Sequence, residues 1–181
     1  APAAKVRWSA RCPSSTKILA RFPQFLPILF RGFKRDLRGE GVTARLDELT
    51  FHEIPVFSYF GGQLSCNFNA KIIRSARQKL GQPLTELEEA AIECVLELSR
   101  RPDLCYRMDL RPGDIQLVNN YTILHGRSAY SDYPDEARKR CLMRFWVNSR
   151  AGRNLAPEFT DRYNTGPGQG VAVGDGARYM F

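Results

Sequence analysis

Histidine is scarce in this chain: only His52 and His125 occur among 181 residues. Cysteine is scarce too, with five residues, Cys12, Cys66, Cys94, Cys105 and Cys141. The number is odd and no pair is spaced as C-x-x-C, which argues against a disulfide framework and against a zinc ribbon. Reduced thiols, and with them a cytoplasmic location, are the expectation. No apolar run approaches the roughly 20 residues that a membrane span needs; the longest candidate, 25-FLPILF-30, is broken by Pro27 and followed by Arg31. Residues 1–15 hold no continuous apolar core of the kind a secretory signal requires, so the sequon at Asn120-Tyr121-Thr122 carries little weight. Internal repeats and low-complexity tracts are lacking as well.

What is present is ordinary for one globular domain: 43 % hydrophobic and 25 % charged residues on a chain long enough to bury a core. The net charge of +8 permits an anionic substrate or nucleic acid. The basic residues are spread along the chain, though denser at 31–38 and 138–144, and no aromatic-rich basic repeat or zinc-finger spacing accompanies them. Solvated surface charge is the favoured reading, and a nucleic-acid partner is not expected.

Hydrophobic periodicity and breakers divide the chain. The first 14 residues read as irregular. Ser14 or Ser15 caps a short helix over 16–22, ended by Pro23, and a second short helix over 24–33 carries Pro27 in its first turn. Residues 34–41 read as a loop. Strands over 54–60 and 63–69 flank Gly61-Gly62, a two-residue hairpin turn. The clearest helix covers 85–101. Thr85 and Glu88 form a capping box, and Leu87, Ala91, Cys94, Val95 and Leu98 give an apolar face. Beyond Pro102 the pattern turns to strands: 105–110, a turn at 111–114, then 115–120, 121–126 and 139–148. The Gly/Pro-rich tail, 149–181, reads as loop. The whole is an α+β chain, one domain over 1–181, with an antiparallel core and helices on one face.

Two features bear chemistry. On a strand over 139–148, Arg140, Leu142, Arg144 and Trp146 share one face. Arginine is costly to bury without an anion, so the two arginines, roughly 13 Å apart along a strand, either grip two acids or lie exposed. The other feature is His125, at the end of 121-YTILHG-126, which is either a metal ligand or a satisfied structural histidine.

The segments 53-EIPVFSYFGGQLSCNFN-69, 108-MDLRPGDIQLVNNYTILHGRSAY-130 and 138-RKRCLMRFWV-147 resemble the C-terminal part of the TauD/TfdA family of Fe(II)- and 2-oxoglutarate-dependent dioxygenases, over most of residues 14–163. The resemblance implies a double-stranded β-helix, or jelly-roll, core with flanking helices. It implies Fe(II) as metal, 2-oxoglutarate as cosubstrate and a small organic substrate. Matched residue by residue, His125 corresponds to the distal iron-binding histidine and Arg140 to the arginine that pairs with 2-oxoglutarate. Arg144 corresponds to the second arginine, able to help bind an anionic substrate, and Trp146 lines the mouth.

The upstream His-x-Asp or His-x-Glu pair of the family is absent, because the other histidine reads His52-Glu53-Ile54. Glu53 is a poor substitute, since adjacent strand residues point to opposite faces. Three explanations are expected in descending order. The chain is the C-terminal portion of a larger dioxygenase, as its missing initiator Met suggests. Alternatively it is an iron-free relative that keeps an anion pocket and acts as a binding or interaction module. Lastly, an oligomeric partner supplies the missing ligands. In each case the chain by itself is expected to be inactive.

Overall fold

The computed structural model describes residues 5–9, 13–127, 132–139, 141–147 and 152–166. Helix α1 (Pro13–Arg21) starts a turn earlier than expected, because Pro13 is itself a good first residue of a helix. It closes with the Phe22 amide donating to the Ile18 carbonyl at 2.7 Å. A single 3-10 turn (Pro23–Phe25) leads into α2 (Leu26–Arg31), with Pro27 in the first turn as anticipated. Helix α2 stops at Gly32, whose φ is 91° and where an added Cβ would lie 2.1 Å from the Ile54 carbonyl oxygen. Only glycine permits both that backbone and that approach.

The segment expected as a loop after α2 is held by two isolated bridges, Phe33 with Ile54 and Asp36 with Leu49. The hairpin forms as expected, though with shorter arms: β2 (Phe57–Phe60) and β3 (Gln63–Cys66) run from Phe57 opposite Cys66 to Phe60 opposite Gln63. Gly61 and Gly62 both have positive φ, 55° and 74°, which a type I′ turn requires.

Helix α3 (Ala70–Lys79) was not anticipated. Its signal is Asn69, which accepts from the Lys71 and Ile72 amides at 3.1 and 3.4 Å, a normal N-cap. Helix α4 (Glu86–Arg100) carries the expected capping box. Ala91, Cys94, Val95 and Leu98 of the expected apolar face are buried and Ile92 joins them, whereas Leu87 is half-exposed in the first turn.

Strand β4 (Cys105–Asp109) falls within its expected segment, and β5 (Leu124–Arg127) starts later than expected and runs one residue past the segment's end. The N-terminal segment is not irregular as expected: β1 (Lys5–Ser9) forms the middle strand of the sheet β4-β1-β5, antiparallel to both neighbours. Residues 115–120 and the described residues 141–147 are not strands. Their β-branched and aromatic residues suit a pleated surface, but here they find no ladder, and Ile115 and Leu117 are 89 % and 93 % exposed. The tail also departs from an all-loop reading. Helix α5 (Pro157–Thr160) buries Phe159, and Asn164 is buried beyond it; residues 167–181 lie outside the described residues.

The core collects Ile18 of α1, Leu29 of α2, Phe33, Val56, Phe57, Cys66, Ile73 of α3, and Ile92 and Val95 of α4, all fully buried. Leu124 of β5 packs against this cluster. The architecture is α+β, as expected. Among the described residues the strands make one three-stranded sheet and one hairpin, fewer than the roughly eight strands of a jelly roll.

Glu88 joins three helices. Its carboxylate accepts from Arg31 of α2 at 2.5 Å, Arg77 of α3 at 2.8 Å and the Thr85 amide at 3.0 Å. Burial pushes its acid up, but the Thr85 amide, Arg31 and Arg77 outweigh burial and hold it below the ordinary carboxylate range. Asp36 behaves alike: burial raises it, while Lys79, Ser75 and the Arg38 amide together bring it lower. Stability from such acids is fully present above the unfolded-state value of roughly 4 and is lost as pH falls through the lowered folded-state values. Glu88→Ala should therefore lower the unfolding free energy at pH 7 by about 2–3 kcal/mol and flatten the acid limb of a stability–pH curve. Urea titrations from pH 7 down to pH 2 check both.

Candidate functional site

His125 is the second residue of β5 and lies opposite Trp8 of β1. Strand alternation turns its side chain away from the core that Leu124 joins. The ring keeps an accessible edge, while the protein crowds the rest of it. That crowding, and then the positive charge of Arg144, hold the imidazole below the ordinary histidine range. The neutral form is thus favoured, and the structure brings Arg144 within electrostatic reach of His125. Arg144 and Trp146 are both exposed, on a segment without a strand ladder, so the shared strand face expected for them does not form. Arg140 lies outside the described residues.

The other histidine is engaged elsewhere. His52 Nε2 meets the Glu158 carbonyl oxygen at 2.8 Å, and neighbouring Glu53 pairs with Arg31 at 3.4 Å. Among the described residues no three His, Cys, Asp or Glu side chains converge to hold a metal ion. The donor set of these residues therefore does not fit an iron triad.

A cationic and aromatic cluster stands beside these residues, and sequence reading missed it. Arg162, just beyond α5, lies over three rings: its guanidinium carbon is 5.2 Å from the Tyr121 ring centre, 5.7 Å from Trp146 and 6.0 Å from Tyr163. One of its nitrogens donates to the Tyr121 hydroxyl at 3.4 Å. Trp146 and Tyr163 meet edge to face at 6.1 Å, and Tyr121 packs on Phe159 at 5.9 Å. The signal in the sequence was 157-PEFTDRY-163, a proline-initiated turn that sets Phe159 and Tyr163 four residues apart.

Beneath the cluster is Arg35, only 2 % exposed. Its guanidinium donates to the carbonyls of Asn67, Pro55 and Ile54 at 2.9, 3.2 and 3.4 Å, and to the Asn67 side chain. Burial, and next the charge of Arg162, pull it down to about 9, against the influence of Tyr163. Burial pushes the Tyr163 phenol up; Arg162 opposes this, Glu40 reinforces it, and Arg35 and Arg144 oppose it. Three arginines thus act on one phenol. Among the described residues, none of the three forms an ion pair with a carboxylate.

Comparison with known proteins bears on this arrangement. The profile of the family described as "Taurine catabolism dioxygenase TauD, TfdA family" matches residues 13–146. A protein of Streptomyces rubellomurinus (strain ATCC 31215) named FR-33289 synthase is 35 % identical over 141 residues, which is 76 % of this chain and 41 % of that protein. The chain thus spans about two fifths of the length of the relative it matches. It belongs to the TauD/TfdA family.

Arg35 gives this region its own test. Lysine keeps the charge but cannot reach several carbonyls from one planar fork. Arg35→Lys should cost about 2–4 kcal/mol, from lost charge-assisted bonds and stranded buried carbonyls. Chemical denaturation of the two proteins measures the difference, and a change below about 0.5 kcal/mol, the range of ordinary surface substitutions, would show that the hub is not structural.

Proposed function

We propose that this member of the TauD/TfdA family contributes one side of a non-haem iron, 2-oxoglutarate-dependent oxygenase site that oxidises a small organic, anionic substrate. His125 is assigned as an iron-binding imidazole and Arg140 as the partner of the 2-oxoglutarate carboxylate. Arg144 and Trp146 are assigned to the substrate. The reading also carries the family's jelly roll, in which the exposed Ile115 and Leu117 find cover.

The observation that carries it is the coupling of His125 to Arg144. A histidine held neutral can ligate a metal, and an arginine from the R-x-x-x-R pattern acts on that same ring. Because the His-x-Asp or His-x-Glu pair is absent, the remaining iron ligands are assigned to a source other than these 181 residues. No oxidation step is derived from this chain alone. A second reading, an iron-free anion-binding module, rests on the absence of the His-x-Asp or His-x-Glu pair from the sequence.

Calorimetric titration of the pure chain with 2-oxoglutarate should show saturable binding that Arg140→Ala weakens at least tenfold. Anaerobic addition of Fe(II) should give no visible charge-transfer band. Absence of 2-oxoglutarate binding would sink the cosubstrate assignment. A band that disappears in His125→Ala would overturn the assignment of the missing ligands to another source. Tight anion binding indifferent to Fe(II) and to His125→Ala supports the iron-free module instead.

A further inference from the structure

Arg162, Arg35 and Arg77 each have their Nε buried without a hydrogen-bond partner among the described residues. Arg77 is compensated by its ion pair with Glu88, whereas Arg162 and Arg35 have no carboxylate partner there. A guanidinium has five N–H donors and no acceptor. The rings of Tyr121, Trp146 and Tyr163 offer the Arg162 cation a π face. They do not accept its in-plane N–H groups, for which the Tyr121 hydroxyl at 3.4 Å is the side-chain acceptor.

Surface arginines meet such demands with water or a neighbouring acid. Buried ones without an acid leave both donors and charge uncompensated, and this is costly. The two arginines also repel one another, and Arg144 adds its charge at Tyr163. Glu40 reaches Tyr163 electrostatically but makes no ion pair with these arginines. The chemistry that answers all of this is a small oxyanion: several acceptor lone pairs, negative charge, and a size that fits beside three aromatic walls.

We propose that Arg162, backed by Arg35 and Arg144 and walled by Tyr121, Trp146 and Tyr163, is the seat of the substrate's oxyanion headgroup. The word "substrate" here rests on the reading of Arg144 and Trp146 given under Proposed function; the oxyanion seat does not. Arg162 comes from a segment beyond the matched residues 13–146, so this seat is an addition to what the family match covers. The anchoring of that segment is built in. Asn164 donates to Glu48 at 3.0 Å and to the Leu49 carbonyl at 2.9 Å, and it accepts from the Phe51 amide at 2.8 Å. The Arg162 backbone is thereby pinned to residues 48–51, and its side chain is presented to the rings rather than to bulk water.

The test titrates the full chain with inorganic phosphate and, separately, acetate by calorimetry at constant ionic strength. At least one should bind saturably. Arg162→Met, which keeps an apolar stem against the rings, should weaken that binding at least tenfold, and Arg162→Lys should retain part of it. Arg140→Ala and His125→Ala should each leave it within about twofold. If neither anion binds, or if Arg162→Met binds within twofold of the parent, the inference is wrong. Loss in Arg140→Ala with Arg162→Met unaffected overturns it too, by moving the anion to the cosubstrate position. Should Arg162→Met fail to fold, hydrogen exchange of the parent chain decides: phosphate should slow the amides of residues 160–166, and unchanged exchange there counts against the proposal. Oxyanion binding without 2-oxoglutarate binding leaves this seat standing and removes the cosubstrate reading; the reverse result removes this seat alone.

Discussion

A guanidinium buried without a carboxylate is the constraint around which this molecule is arranged. Arg35 can be charged inside the protein only because carbonyl groups replace its water, and those carbonyls come from Ile54, Pro55 and Asn67. Their positions mark the entry to the β2–β3 hairpin and its exit. To satisfy one cation, the chain must return twice to the same place. The Arg35 backbone completes the arrangement, since its amide donates to the Thr50 hydroxyl at 3.0 Å and its carbonyl accepts from the Thr50 amide at 2.9 Å. A charge-assisted bond to a carbonyl is worth more than a neutral one, but desolvating the ion consumes much of that gain. The net effect is less a source of stability than a condition on geometry: other arrangements of these segments strand the ion.

From this hub, position is handed outward by short links. The hairpin's last residue, Cys66, donates its amide to the Tyr121 carbonyl at 2.8 Å. Tyr121 in turn sits three residues before β5 and His125, and its ring supports both Phe159 and Arg162. The C-terminal segment is fixed from the other side, by Asn164 on residues 48–51 and by His52 on the Glu158 carbonyl. Trp146 and Arg162 lie on segments without a strand ladder and meet through the Arg162 cation over the Trp146 ring, while His125 lies on β5, paired with β1.

Sequence reading recovered what is decided locally. The capping box at Thr85 and Glu88 and the Gly61-Gly62 turn are specified by a few adjacent residues whose backbone demands are known. What it missed is decided at a distance. Strand β1 exists through Lys5 opposite Asp109 and Val6 opposite Arg127, and nothing in residues 5–9 announces such partners. Residues 115–120 and 139–148 show the converse, strand composition without a described ladder, because β-propensity expresses packing that a partner must supply. The apolar face of α4 was read correctly at Ala91, Cys94, Val95 and Leu98, while Leu87, at the first turn, projects past the core and Ile92 enters it. In the proposed site, His125 and Arg144 were singled out from a motif. Arg35 and Arg162 sit in polar stretches, where an arginine is ordinarily solvated, and only tertiary contacts bury Arg35 and half-bury Arg162.

The charge distribution binds these strands of argument together. A metal-ligating imidazole must be deprotonated, and a positive neighbour favours that form. An acid headgroup needs cations, and cations near His125 disfavour its protonation. On the proposed reading Arg144 would serve both demands, because it lowers the tendency of His125 to take a proton and adds to the positive field at Tyr163. Such a field would be self-destructive if it were left uncompensated: Arg35 already gives up much of its basicity to burial and then to Arg162. An oxyanion bound there would relieve the repulsion between Arg162 and Arg35 and so favour the ordered C-terminal segment over a detached one. By linkage, a ligand that relieves repulsion in the folded state also stabilises that state. Binding at Arg162 and retention of the fold around Arg35 are on this account two expressions of one electrostatic balance.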